Sequence, residues 1–296
     1  MRKNRSALVV FLILFVPIFI RPAFAAKGHF EFSFHYGSWG LNILKPAIEN
    51  LAKSFAEQMK NDMMDQVKED NPGEDLIEKS FNNDVEFDSS GHNYGFEIRW
   101  YPAGEGGSFS LGLSVEKTSM RIALPKVSTS IEIENQKSHE IWDFQGQGDA
   151  EIKTNPLAFL LSFRWDIKPS WKVHPYFTLG LGIAGASALD ETAILFNFTG
   201  QTTSPGEPPK PIDPQYINKT LAQLKQEDAD RIKEENEEHA GDPNYQPRKP
   251  FDYPGFFPFI QLHFGLKAEV TSFLHVLVDA GVWDGFILRG GFALRF

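Results

Sequence analysis

The stretch Phe286 to Phe296 reads FILRGGFALRF. Phe286, Leu288, Phe292, Leu294 and Phe296 share one parity, with Gly290 among them. Ile287, Arg289, Gly291, Ala293 and Arg295 share the other. Side chains of a strand alternate between its faces, so this strand carries one apolar face and one face with two arginines. A sheet built of such strands must turn one side to hydrocarbon or to a protein core, and the other to an ionic environment.

The same alternation recurs seven times upstream. His29 to Gly37 sets Phe30, Phe32, Phe34 and Tyr36 against His29, Glu31, Ser33 and His35. His92 to Tyr101 sets Tyr94, Phe96, Ile98 and Trp100 against Asn93, Gly95, Glu97 and Arg99. Phe109, Leu111, Leu113 and Val115 oppose Ser108, Ser110, Gly112, Ser114 and Glu116. Leu157 to Ile167, Pro175 to Ala184, Pro258 to Val270 and Leu274 to Val282 repeat the pattern, with Ser162, Arg164, Asp166, His263, Lys267, Glu269, His275 and Asp279 on the polar rows. These segments predict an all-β, eight-stranded antiparallel up-and-down barrel. The connections run long, short, long, short, long, short, short, so even-numbered ones are all brief. Single-chain transmembrane barrels have even strand numbers, long loops at one end and tight turns at the other. After Ala25 no run of 18 apolar residues occurs, and without helices only a closed barrel satisfies every backbone group in lipid.

The terminal strand ending on Phe296 resembles the last strand of bacterial outer-membrane barrels. Pro175, Tyr176, Gly180 and Gly182, as P-Y-x-x-x-G-x-G, are similar to a pattern of small barrels of the OmpA/OmpW-like type. The resemblance implies a monomeric outer-membrane protein in contact with outer-membrane lipid and lipopolysaccharide. It also implies that Phe296 is the signal read by the barrel-assembly machinery. A soluble, lipocalin-like barrel is the main rival, with the apolar rows turned inward.

Residues 1–25 read as a signal peptide: Arg2, Lys3 and Arg5 precede an apolar run from Ala7 to Ile20, and Ala23-Phe24-Ala25 gives the cleavage site. Residues 26–296 then form the barrel. Cleavage would remove four basic residues and no acids, moving the formal net charge from −10 to −14. Such a charge argues against nucleic acid as a partner. The absence of cysteine excludes disulfides, thiolate metal sites and a Cys nucleophile.

Three connections are long, at about 41–90, 117–155 and 185–257. The first carries Ile48, Leu51, Phe55, Met59, Met63 and Val67 at helical spacing, from Lys45-Pro46 to a stop at Asn71-Pro72-Gly73. This predicts a helix packed on the barrel rim, with lumen capping or a place among lipid headgroups as alternatives. The second is polar and extends its flanking strands beyond the membrane. In the third, the proline-rich 204–214 should be extended or disordered, with a charged helix over Gln215 to His239. Loops on a rigid scaffold are where binding specificity lives, so a surface partner would engage here.

The interior of an eight-stranded barrel is just filled by side chains. Glu31, Glu97, Arg99, Glu116, Arg164, Asp166, Lys267, Glu269, Asp279, Arg289 and Arg295 all fall on the inward rows and should form a charge network, with Glu31 and Arg99 as one pair. Tyr36, Trp39, Tyr94 and Trp283 should make an aromatic girdle at one interface, and Trp100, Trp165 and Trp171 at the other. These features predict a scaffold with a plugged lumen and functional loops. A narrow gated pore is one alternative. A lipid acyl hydrolase is the other, since Ser33, His35, His263, His275 and Asp279 point inward, although no H-x-S-N signature occurs. No cofactor, metal site or catalytic residue is assigned.

Overall fold

A computed structural model describes residues 28–104, 107–185, 187–241, 245–250, 256–282 and 285–296. The leader proposed for residues 1–25 and Trp283 lie outside them. Among the described residues there are eleven strands: β1 (His29–Gly40), β2 (Leu76–Tyr101), β3 (Phe109–Asn135), β4 (Glu140–Thr154), β5 (Leu157–Asp166), β6 (Val173–Gly185), β7 (Ala193–Thr203), β8 (Lys210–Thr220), β9 (Phe256–Glu269), β10 (Leu274–Val282) and β11 (Phe286–Arg295). The helices are α1 (Lys45–Asp70), the short α2 (Ser187–Asp190) and α3 (Leu221–Glu238).

Eight of the strands close a ring in the order β1-β2-β3-β5-β6-β9-β10-β11, with every neighbour antiparallel. β11 closes on β1 from Glu31↔Arg295 to Gly40↔Phe286. Phe296 completes that seam: its backbone N–H donates to the Phe30 carbonyl at 2.9 Å and its carbonyl accepts from Phe30 at 3.1 Å. No open edge is left in the ring, which is how a barrel solves the edge-strand problem.

The three other strands correct the reading of 117–155 and 185–257 as loops, although β3 does run on past the wall as expected for the base of 117–155. β2 and β3 run for 26 and 27 residues, far beyond the barrel wall. At about 3.3 Å per residue, β3 is roughly 90 Å long. Its first half pairs with β5 and its second half with β4. β4, β7 and β8 extend this upper half sideways into an outer sheet ordered β2-β3-β4-β7-β8. Bulges between Glu86 and Asp88 and between Leu124 and Val127 mark the junction of wall and extension. The outer sheet is amphipathic. Ile122, Ile152 and Ile194 line up across three strands, as do Leu124, Ala150 and Phe196, while Arg121, Asp149, Glu151, Lys153 and Asn197 take the other parity.

α1 spans the predicted stripe, with Pro46 in its first turn. It does not rest on the barrel rim, cap the lumen or lie flat beside it. Met63, Met64 and Val67 pack on Leu76, Phe81, Ile131, Ile133, Trp142 and Phe144 of the outer sheet. Lys60 pairs with Glu78 at 2.7 Å, and Glu49 accepts from the Phe87 N–H at 2.9 Å. Leu51, Phe55 and Met59, the lower part of the stripe, stay exposed. The second predicted helix begins later than expected, at Leu221. Thr220 and Gln223 form a reciprocal capping box (2.8 and 3.3 Å) and fix the start there, while Gln215 to Thr220 belong to β8. Pro211 and Pro214 are accommodated because β8 pairs only with β7 and is an edge strand.

Candidate functional site

Alternation in the wall strands sorts side chains as the sequence implied. Phe32, Phe96, Leu113, Phe264, Val278 and Leu288 are between 45% and 68% exposed on the outside. Glu31, Arg99, His263 and Lys267 are fully buried inside. The lumen is stacked in layers, described here from the end with short turns to the end that carries the outer sheet.

Near the turn end, Lys267 of β9 pairs with Glu31 of β1 and donates to the Tyr101 hydroxyl at 3.0 Å. Arg164 of β5 stands 3.5 Å from Glu31 and 3.2 Å from Glu97. Glu97 also takes the Arg99 guanidinium, through Nε at 3.2 Å, and the Ser162 hydroxyl at 2.6 Å. Above this layer the Arg164 guanidinium lies over the Tyr176 ring at 4.5 Å, and the Tyr176 hydroxyl donates to Asp279 at 2.7 Å. Asp279 accepts from Arg289 Nε at 2.8 Å and lies 2.9 Å from His263 Nδ1. Arg289 then reaches Glu116 at 3.2 Å, and Glu116 accepts from Asn93 (3.3 Å) and Gln261 (3.2 Å). One connected network thus runs from β9 and β1 at one end to β3 and β2 toward the other. Glu31, Glu97, Glu116 and Asp279, the carboxylates of this network, each meet an arginine or lysine, which is the condition for holding charge away from water. Between Ser33, His35, Glu97, Glu116, Asp279 and Arg289 there remains a void of about 20 Å³, enough for one water.

At the outer-sheet end the interior turns apolar. Trp39, Met120, Ala158, Leu160 and Ile287 form a buried cluster, with Phe259 and Ile122 packed against it. Trp39 is 4% exposed, so it belongs to this plug and not to an aromatic girdle. It sits on Gly285, where an added Cβ would stand 2.4 Å from the indole nitrogen.

The structure places the other predicted residues as follows. Glu97, Glu116, Arg164, Asp166, Asp279 and Arg289 are buried, and Arg295 is half-buried at the turn end. Glu269 corrects the inward assignment: its parity is right, but it lies at the last pair of β9 and is exposed. Its loss leaves five cations and five carboxylates facing the lumen. Glu31 and Arg99 are direct cross-strand neighbours, yet they do not form the expected pair. Glu31 turns to Lys267 and Arg164, and Arg99 turns to Glu97. Tyr36, Trp165 and Trp171 are 40% to 56% exposed, and Tyr94 and Trp100 are half-buried. A row of touching rings crosses four strands: Phe109 to Trp165 at 5.5 Å, Trp165 to Phe177 at 5.8 Å and Phe177 to Phe264 at 4.9 Å. Ser33 donates to Glu97 at 3.5 Å, whereas His263 is held by Asp279. The structure therefore sends these two would-be catalytic groups to different partners. Among the described residues no three His, Asp or Glu side chains are arranged to hold a metal.

Asn93, Ser162 and Gln261 fall on the polar rows but are not among the expected charge network, and Tyr101, Tyr176 and the apolar plug carry no such expectation. Each lies on the inward parity of its strand, and that parity was the available signal.

No protein-family model and no curated relative matches the chain. Among solved structures, the translocator domain of the autotransporter NalP from Neisseria meningitidis is 8% identical, with 95% of this chain and 96% of that chain covered and a TM-score of 0.22. OprB from Pseudomonas putida is 7% identical, with 100% and 98% covered and a TM-score of 0.17. The transport unit of the autotransporter AIDA-I from Escherichia coli is 8% identical, with 90% and 88% covered and a TM-score of 0.19. The eight-stranded closure stands on the strand register alone.

Proposed function

We propose that this chain is an integral barrel of the bacterial outer membrane, exported with a cleaved leader and folded by the barrel-assembly machinery. It acts as a monomeric scaffold that holds an outer sheet and its helices above the cell surface. The observation that carries the reading is the two-sidedness of the wall. Among the described residues no other element lies over its apolar rows, which face outward, while ten charged groups face the lumen. A lipocalin-like barrel would have the reverse. In a membrane of about 30 Å, strands of about 9–11 residues suffice, and the wall segments meet that length. Orientation follows from the short turns, which face the periplasm in this class, so the outer sheet points away from the cell.

The lumen is a strut and not a conduit. The salt-bridge network fills its middle, the remaining void holds about one water, and the apolar plug closes the outer mouth. The inward histidines serve that packing, and no catalysis is assigned to them. Partners of the outer part are sought on the sheet and α1, where Leu51, Phe55, Met59, Ile152 and Phe196 are exposed.

Outer-membrane fractions should contain a species whose gel migration changes on heating, and the purified protein should give only small conductance steps in planar bilayers. Large steady steps would end the strut reading. Deleting residues 205–250 removes β8 and α3, both outside the eight-strand ring, and should leave heat-modifiability intact. Failure of that variant to fold would refute the separation of wall from extension.

A further inference from the structure

The lumen network consumes the polar groups of the middle layers, but at the turn end three side chains stand beside its Lys267 with polar atoms it does not use. His174 of β6, Lys267 of β9, His275 of β10 and Arg295 of β11 lie on adjacent strands. His174 pairs directly with Lys267, Lys267 with Leu277, and His275 with Ala293, two residues before Arg295. They form an arc of two cations and two imidazoles around one side of the mouth. His174 and His275 are 2% and 1% exposed. His174 Nε2, His275 Nδ1 and Arg295 Nε are buried and have no hydrogen-bond partner.

Local chemistry fixes what two of these atoms can do. His174 Nδ1 lies 3.0 Å from the Trp171 carbonyl, which can only accept, so Nδ1 carries hydrogen and holds the ring in place. Its Nε2 is turned inward, 3.8 Å from Asp166 Oδ1, too far for a direct hydrogen bond. Arginine is always protonated and its Nε–H is only a donor. Four of the five lumen cations have carboxylate partners: Arg99, Arg164, Lys267 and Arg289. Arg295 is the fifth, and its side chain makes no ion pair among the described residues. Its direct neighbour on β1 is Glu31, which is already taken by Lys267 and Arg164. Leaving a buried donor unmet costs about 1–3 kcal/mol, more beside a charge; Arg295 Nε is such a donor, and His174 Nε2 and His275 Nδ1 can donate beside it when their rings are protonated, as an adjacent anion favours.

We infer that the periplasmic mouth of the barrel binds a small oxyanion, a phosphate or carboxylate group, on Arg295, His275 and His174, with Lys267 contributing field. The inference rests on the membrane reading only for which compartment supplies the anion. The arc itself is a property of the fold. Arg295 would be the primary contact, since it reaches the mouth and a guanidinium offers planar donors suited to both groups. Asp166 bounds the site beside His174 and limits it to one compact anion. Glu269, exposed at the rim and paired in register with His275, is a carboxylate that competes for it.

The test uses the full-length barrel in neutral detergent, with His174 and His275 imidazole resonances as the readout. Inorganic phosphate and acetate are titrated separately. The same spectra are recorded in nanodiscs of phosphatidylcholine alone and with phosphatidylglycerol. Saturable shifts of both histidines with phosphate or acetate, weakened at least tenfold in Arg295→Gln, support a free anion. Shifts only in the phosphatidylglycerol discs, lost in Arg295→Gln, support a headgroup as the source. The absence of saturable shifts in every arm overturns the inference, as does unchanged binding in Arg295→Gln. Should Arg295→Gln lose heat-modifiability, His275→Gln replaces it, with the same tenfold criterion. Binding without conductance change leaves the strut reading untouched, and a conducting barrel that binds no anion fails each claim separately.

Discussion

Lys267 and Glu31 form an ion pair across the lumen, from β9 to β1, with both side chains fully buried. The two strands are not neighbours in the ring, since β10 and β11 lie between them. The pair therefore ties opposite parts of the wall together through the interior and not through the sheet.

Replacing Lys267 with Met should leave Glu31 with only Arg164 at 3.5 Å. Removing one partner of a buried pair costs about 3–5 kcal/mol. The urea midpoint of the refolded barrel should fall accordingly. Lys267→Met combined with Glu31→Gln should recover part of the loss. An unchanged midpoint in the single variant would mean that the pair is solvated in the membrane.

Trp39→Ala should empty the centre of the apolar plug. Buried Trp-to-Ala changes cost about 3–5 kcal/mol. Conductance should nevertheless stay small, because the ionic layers beneath remain. A large increase in single-channel current in Trp39→Ala would show that the plug alone seals the barrel.

Gly290 and Gly291 are adjacent in the closing strand and should answer oppositely to alanine. A Cβ on Gly291 would stand 2.3 Å from the Phe34 carbonyl across the seam, whereas one on Gly290 meets only the Leu277 carbonyl at 4.0 Å. Overpacking typically costs about 1–3 kcal/mol. Gly291→Ala should slow the appearance of the fast-migrating folded band in a refolding time course, and Gly290→Ala should match the parent. Equal behaviour of the two would contradict the β1–β11 register.

The outer sheet should loosen in acid while the barrel holds. Hydrogen bonds from Lys153 and Arg121 keep the Glu151 carboxyl below its ordinary range, and Lys126 does the same for Asp84. A carboxyl depressed in the folded state stabilises it above the unfolded value of about 4, and the contribution is lost as pH falls through the folded value. Protection of backbone amides in β3 above the bulge and in β4, taken relative to the intrinsic exchange rate at each pH, should therefore fall between pH 7 and pH 3. Half-molar salt should narrow the difference, because these groups are exposed. Identical protection factors at both pH values would discount the ion pairs. Glu151→Gln should take away part of the pH response.

The wall was legible because the outside of a closed barrel and its filled lumen impose opposite demands on successive residues, and eight segments record them. Of the extension, only the continuation of β3 beyond the wall was legible. β7 opens Ala-Ile-Leu-Phe, with no strict alternation, since both of its faces are partly open to water. β8 carries two prolines, a mark against strand structure that an unpaired edge suspends. The first 15 residues of β2 contain Asn82, Asn83 and Asp84, which read as loop and pair as strand only because β3 continues beside them. In the lumen, parity identified the charged residues but not their partners. Glu31 and Arg99 are adjacent in register, yet Glu31 reaches across the interior to Lys267 and Arg164, each three strands away, and Arg99 turns to Glu97 on its own strand. Trp39 was drawn to the girdle by its residue type, although its position in β1 already set it facing in.

β3 has no break between barrel and surface. The same backbone that forms one stave of the wall rises to become the middle of the outer sheet, crossed only by a bulge. A pull on the exposed sheet is then borne in shear by a ladder of main-chain hydrogen bonds along β2, β4 and β5, and no hinge is available to absorb it. Whatever seizes this protein from outside is, mechanically, holding the barrel itself.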